Sequence, residues 1–136
     1  MRQPIQSSFA AVLALILAAN ACAMLFASLW WYGAVPGVTT TGPYNAHFIR
    51  DIGATYLVVA GALAAFAWKP AIAWPALIAA TAFLTLHAFI HIADALVSPV
   101  CGADLARDFP GVFLPALICL GLTASSLPVQ KEPVHA

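Results

Sequence analysis

Three histidines and two aspartates carry most of the chemistry that this chain's interior offers. His87, His91 and Asp94 stand at i, i+4 and i+7, a spacing that lines one face of a helix. His47 and Asp51 stand at i and i+4 near the start of another apolar stretch. Imidazole supplies nitrogen, carboxylate supplies oxygen and charge, and two histidines one turn apart can grip one ion. Three histidines and one aspartate complete a tetrahedral shell, and the second aspartate can orient a ligand imidazole from behind. Zinc, copper and iron all accept such ligands. No cysteine or methionine adjoins the set, which disfavours a dedicated Cu(I) site. An ion with an open position would activate water or oxygen, the chemistry of a hydrolase or oxidoreductase, with Asp51 or Asp94 accepting a proton.

The elements that position these residues follow from hydropathy. The chain has 136 residues, 63% hydrophobic and 7% charged, where soluble domains carry about a quarter charged. A water-soluble protein of this size could not bury that much apolar surface in one core, so the lipid bilayer is the expected surrounding. Four apolar stretches are separated by turn residues. The first covers about 9–32 and ends in Trp30-Trp31-Tyr32, rings suited to the headgroup level. Residues 33–45 read as a loop through Pro36-Gly37 and Gly42-Pro43. Asn45 is placed to cap the second helix, about 46–68. Lys69-Pro70 interrupts the pattern, a third helix covers about 73–97, and Ser98-Pro99 stops it. Residues 101–108 read as a polar loop. Pro110 opens a fourth helix, about 110–127, which Pro115 is expected to kink. Short connections make neighbouring helices antiparallel. The expected fold is all-α, one transmembrane domain over residues 1–136, a four-helix antiparallel bundle. Arg2 before an apolar run resembles a secretory leader, and Ala19-Asn20-Ala21 a cleavage site; the unbroken run to Trp30 favours an uncleaved span.

Depth along the helices brings the two histidine-bearing stripes together. At 1.5 Å per residue from the turn at 69–72, Asp51 and His91 lie ~27–28 Å up, His47 and Asp94 ~33 Å, and His87 ~22 Å. All five are therefore expected to converge near one face. The alternative is an interhelical polar network, with Arg50 on Asp51 or Asp94 and imidazoles on backbone carbonyls. Haem fits less well, because axial ligation by His47 and His87 or His91 needs a porphyrin-wide gap between adjacent helices. A transporter or proton path is disfavoured, since helices 2 and 3 are apolar below His87.

The remaining polar residues read more plainly. Asn20 is expected to hydrogen-bond across helices, and Gly53, Ala54 and Gly61 to allow close packing. Three cysteines without a CxxC pair make neither a disulfide framework nor a thiolate zinc site; Cys22 and Cys119 read as buried thiols and Cys101 as a loop thiol. His135 belongs to a short polar tail. A net charge of zero leaves no basic patch for nucleic acid. Arg2, Lys69 and Lys131 fall on one side of the bundle and Arg50 and Arg107 on the other, beside Asp51, Asp104 and Asp108. The positive-inside rule then places both termini in the cytoplasm of a multi-pass inner-membrane protein. Its expected partners are the lipid bilayer and either a second copy of the chain or a larger membrane complex, in which it would be a non-catalytic accessory subunit.

Two resemblances attach to particular segments. His87-Ala88-Phe89-Ile90-His91 resembles one histidine box of the membrane-bound di-iron desaturases and hydroxylases, which use about eight histidines. This chain has four, so that activity is not carried over. The segment Gly42-Pro43-Tyr44-Asn45-Ala46-His47-Phe48-Ile49-Arg50-Asp51-Ile52-Gly53, with the four apolar stretches, resembles small bacterial four-helix membrane proteins of a broadly DoxX-like kind. That resemblance implies the bundle and no reaction.

Overall fold

A computed structural model describes residues 2–126. The tail from Pro128, with Lys131 and His135, lies outside them. Every regular element among the described residues is helical. The elements are α1 (Arg2–Phe26), α2 (Ser28–Ala34), a 3₁₀ turn at Val38–Thr40, α3 (Ala46–Trp68), α4 (Pro70–Val97), α5 (Cys101–Asp108), a π-helical turn at Phe109–Phe113, and α6 (Leu114–Ser126). Four helical stretches are long and apolar enough to cross a membrane: Pro4–Phe26, Ala46–Trp68, Pro70–Val97 and Cys101–Ser126.

The first stretch is not one rod. The backbone bends at Ala27 (φ −134°, ψ 43°), while its ladder persists through Ala27 N–H to Ala23 O and Trp31 N–H to Ala27 O, both 2.9 Å. The bend lets the Trp31 indole N–H donate to Asn20 Oδ1 at 2.8 Å, across a separation that a straight helix would hold near 16 Å along its axis. Asn20 therefore finds its partner in α2 rather than across the bundle. α3 starts at Asn45, whose Oδ1 accepts from Phe48 N–H at 3.1 Å and closes the first turn.

Residues 101–108, expected as a loop, form helix α5. Asp104 lies in its first turn and Arg107 in its last, each matching the helix dipole, and the pair bond at i, i+3. α5 continues into α6 through the π turn, where Leu114 N–H reaches back five residues to Phe109 O. Pro110 and Pro115 both lack the N–H that α-helical bonding needs, and the wider turn relieves the clash that Pro115 would make with the carbonyl four residues earlier. The irregularity thus precedes Pro115, which is itself buried in α6.

Alanines and large apolar side chains share the core, and further large apolar side chains cover the outside. Ala10, Ala14, Ala21, Ala60, Ala80, Ala88 and Ala116 are buried, with Leu13, Leu17, Met24, Leu63, Phe66, Leu77 and Leu84 filling between them. Phe9, Val12, Leu15, Ile16, Val58, Leu86, Phe89 and Ile90 are each more than half exposed. The broadest interface joins α1 and α3. Tyr56 meets Phe83 edge-on between α3 and α4, at 5.5 Å between ring centroids. Thr81 and Thr123 hydroxyls bond at 2.7 Å between α4 and α6, and Gln6 Nε2 donates to Ser125 Oγ at 2.9 Å between α1 and α6. Cys119 is buried, whereas Cys22, expected buried, is exposed; all three cysteines are free thiols.

Gly53 packs directly against α1. A Cβ there would lie 2.8 Å from Met24 Cβ and 3.3 Å from Leu25 Cγ, whereas a Cβ on Gly61 meets nothing within 4 Å. Gly53→Ala should therefore destabilise the fold by about 1–3 kcal/mol through overpacking. Gly61→Ala should be neutral or stabilise by up to about 1 kcal/mol through helix propensity. Unfolding of the two variants in detergent micelles checks this; equal effects would contradict the packing.

Candidate functional site: a histidine pair held by a carboxylate

α4 presents His87 and His91 one turn apart, with ring centroids 4.7 Å apart and planes at 68°. The His87 ring runs parallel to Phe83, at 6.0 Å and 8°, and meets Tyr56 edge-on at 5.8 Å. Tyr56 thus holds it from the α3 side and Phe83 from one turn earlier on α4. His91 is held differently. Its Nδ1 lies 2.7 Å from Asp108 Oδ2, at the end of α5. The histidine side chain is 30% exposed and the aspartate 10%.

Asp108 is itself clamped. Arg107 gives Nε to its Oδ1 at 2.7 Å and an Nη to its Oδ2 at 3.1 Å, a forked contact on both carboxylate oxygens. The other Nη donates to Asp104 Oδ1 at 2.7 Å. The guanidinium also lies against Gly37, where a Cβ would come within 2.5 Å of Cζ and Nε. Gly37 has φ +84°, a conformation glycine adopts without strain. Its loop is tied to α2 by Tyr32, whose hydroxyl donates to Gly42 O at 2.7 Å, and by the Ser28–Tyr44 hydroxyl bond at 2.8 Å. One chain of contacts therefore runs from the loop through Arg107 and Asp108 to His91 and His87.

The five residues expected to converge do not form a single shell. His47 Nε2 and Asp51 Oδ2 pair with each other at 3.3 Å, with side chains 87% and 62% exposed. The first turns of α3 point those two side chains outward, so equal depth did not bring a shared face. Asp94 is exposed, and Arg50 makes no ion pair with a described carboxylate. Among the described residues no group of three or more His, Cys, Asp and Glu side chains is arranged to hold a metal ion. His87 and His91 stay together, and Asp108 takes the place expected for Asp51 or Asp94 behind an imidazole.

Asp108 and Arg107 were missed as site residues because 101–108 read as loop. The signal was present. Asp104, Arg107 and Asp108 share one helical face at i, i+3 and i+4. Counted back from the Ser98–Val100 turn, His91 and Asp108 lie at nearly equal rise, ~10 Å and ~12 Å.

Neutral histidine with Nδ1 engaged by a carboxylate leaves Nε2 as a free lone pair directed elsewhere, the arrangement that orients metal-ligating imidazoles. Compared with protein-family models, curated proteins and solved structures, the chain matches none. The site is therefore read from its own geometry.

The His91–Asp108 contact joins α4 to α5, so the two side chains should be energetically coupled. A double-mutant cycle of His91→Leu and Asp108→Ala, read by unfolding in micelles, is expected to give a coupling of about 0.5–3 kcal/mol. Strict additivity would contradict the contact.

Proposed function

We propose that the chain is a multi-pass membrane protein whose four spans form an antiparallel bundle and bind a transition-metal ion through His87 and His91. One pattern supports the bilayer placement: large apolar side chains, among them Phe9, Leu15, Ile16, Val58, Leu86 and Phe89, cover the outside. Gly53 lies against Ala21, Met24 and Leu25 while residues from Leu57 to Trp68 share a groove with residues from Ala11 to Ala18, which fits α1 and α3 running in opposite directions, as do the short turns between the other spans. The charge distribution of Arg2, Lys69 and Lys131 supports cytoplasmic termini in an inner membrane, and the Gly42–Gly53 segment keeps its resemblance to DoxX-like proteins.

The observation that carries the metal reading is the 2.7 Å contact between His91 and Asp108, made beside a second imidazole. The protein supplies two nitrogen donors from one copy. The remaining positions would be taken by water or an exogenous ligand, which is the condition of a reactive rather than a structural site. Zinc, copper and iron all fit the imidazoles. Asp108 would fix the His91 ring and raise its basicity.

A second reading has its own support. Arg107 and Asp108 satisfy each other, and the network ties the Gly37 loop, α5 and α4 together. On that reading the cluster is structural and the protein an accessory subunit of a larger membrane complex.

Metal content of the purified chain separates the two. The metal reading expects about one equivalent of a transition metal per chain. His87→Ala and His91→Ala should abolish it, and Asp108→Asn should weaken affinity about 10–100-fold. A metal-free wild type after growth and purification without chelator would overturn the metal reading. Reduced stability of Asp108→Asn without any metal would support the structural one.

A further inference from the structure

At the far end of α4 from His91, α3 ends in Trp68 and Lys69. A groove of about 650 Å³ runs between α1 and α3 and reaches Trp68. Its walls include Ala11, Ala14, Ala18, Ala60, Gly61 and Ala64. Ala14 and Ala60 are buried along it, while Gly61 and Ala64 are exposed, and a Cβ on Gly61 would enter open space.

We propose that this groove holds an acyl chain of an anionic glycerophospholipid whose phosphate pairs with Lys69. The inference rests on the bilayer reading above and is independent of the histidine pair. The charge at its mouth chooses the occupant. From Leu57 to Trp68 the groove spans about 16 Å of helix, a length that a flexible hydrocarbon chain can follow. The lining side chains are all apolar, which suits a chain and no polar ligand.

The mouth supplies the charge. The Lys69 ammonium sits 4.6 Å from the Trp68 ring centroid. It makes no ion pair with a described carboxylate. The cation–π contact holds the ammonium beside the groove while leaving N–H donors for a phosphate. An indole and a lysine together at a helix end are the pair that anchors at headgroup level.

Native mass spectrometry of the full chain, released from detergent with added palmitoyl-oleoyl phosphatidylglycerol, tests this. The wild type should retain a single lipid molecule in preference to diacylglycerol with the same chains. Lys69→Gln should weaken retention about fivefold and remove the preference. Gly61→Leu and Ala64→Leu, both at exposed positions, should block the groove and lose the lipid while keeping helical circular dichroism. Retention unchanged in all three variants would overturn the proposal, as would a lipid-free wild type. Dimers that Gly61→Leu dissolves would also overturn it, by placing a second copy in the groove. Alkaline carbonate extraction keeps the two readings apart: a protein that stays in the membrane pellet yet holds no lipid defeats the groove alone, and release by carbonate defeats the bilayer reading.

Discussion

A carboxylate at the end of an apolar bundle needs compensation where it stands, and one end of this structure is organised around Asp108. Its side chain is 10% exposed. Leaving such a charge unpaired costs several kcal/mol, while pairing it repays the cost only when the geometry satisfies both oxygens. Arg107 covers both with its fork, and His91 adds a third contact. Each contact fixes an element. Arg107 lies on the Gly37 backbone and so seats the loop after α2. Asp108 ends α5 beside α4. His91 is thereby turned into one orientation, which sets its ring against His87.

In the proposed bilayer the apolar half would follow a different constraint. Backbone groups in a hydrocarbon surrounding must bond within the chain, which favours uninterrupted helices. The structure keeps its ladder through the bend at Ala27 and widens to a π turn near Pro115 instead of breaking. In the bilayer proposed for it, joining helices brings little hydrophobic gain, and close contact would come from shape. Gly53 and the buried alanines supply it. Along α1 and α3 an apolar groove reaches Trp68.

The four long apolar helices were legible in the sequence, since hydropathy and turn residues report them directly, and so was the Asn45 cap. The site was legible in part. His87 and His91 lie on one face because helix periodicity demands it, and that pairing needs no tertiary knowledge. Placing His47 and Asp51 with them used depth along α3 but not its rotation, and rotation turned both outward. Asp108 escaped because charged residues between prolines look like loop. A short helix stabilised by Asp104 and Arg107 is a local electrostatic outcome that hydropathy does not carry. Asn20 went to Trp31 for a similar reason: the bend at Ala27 has no glycine or proline to announce it.

Metal binding at the histidine pair depends on the state of one imidazole. If Asp108 orients His91 for a ligand, His91 is neutral, carries its proton on Nδ1 toward the carboxylate, and keeps Nε2 unprotonated. Nitrogen-15 NMR of histidine-labelled protein in micelles or bilayers reads the two ring nitrogens separately. The expected spectrum shows His91 as the Nδ1–H tautomer, with its Nε2 resonance shifting when Zn²⁺ is added. A proton on Nε2, or an Nε2 resonance indifferent to Zn²⁺, would contradict it.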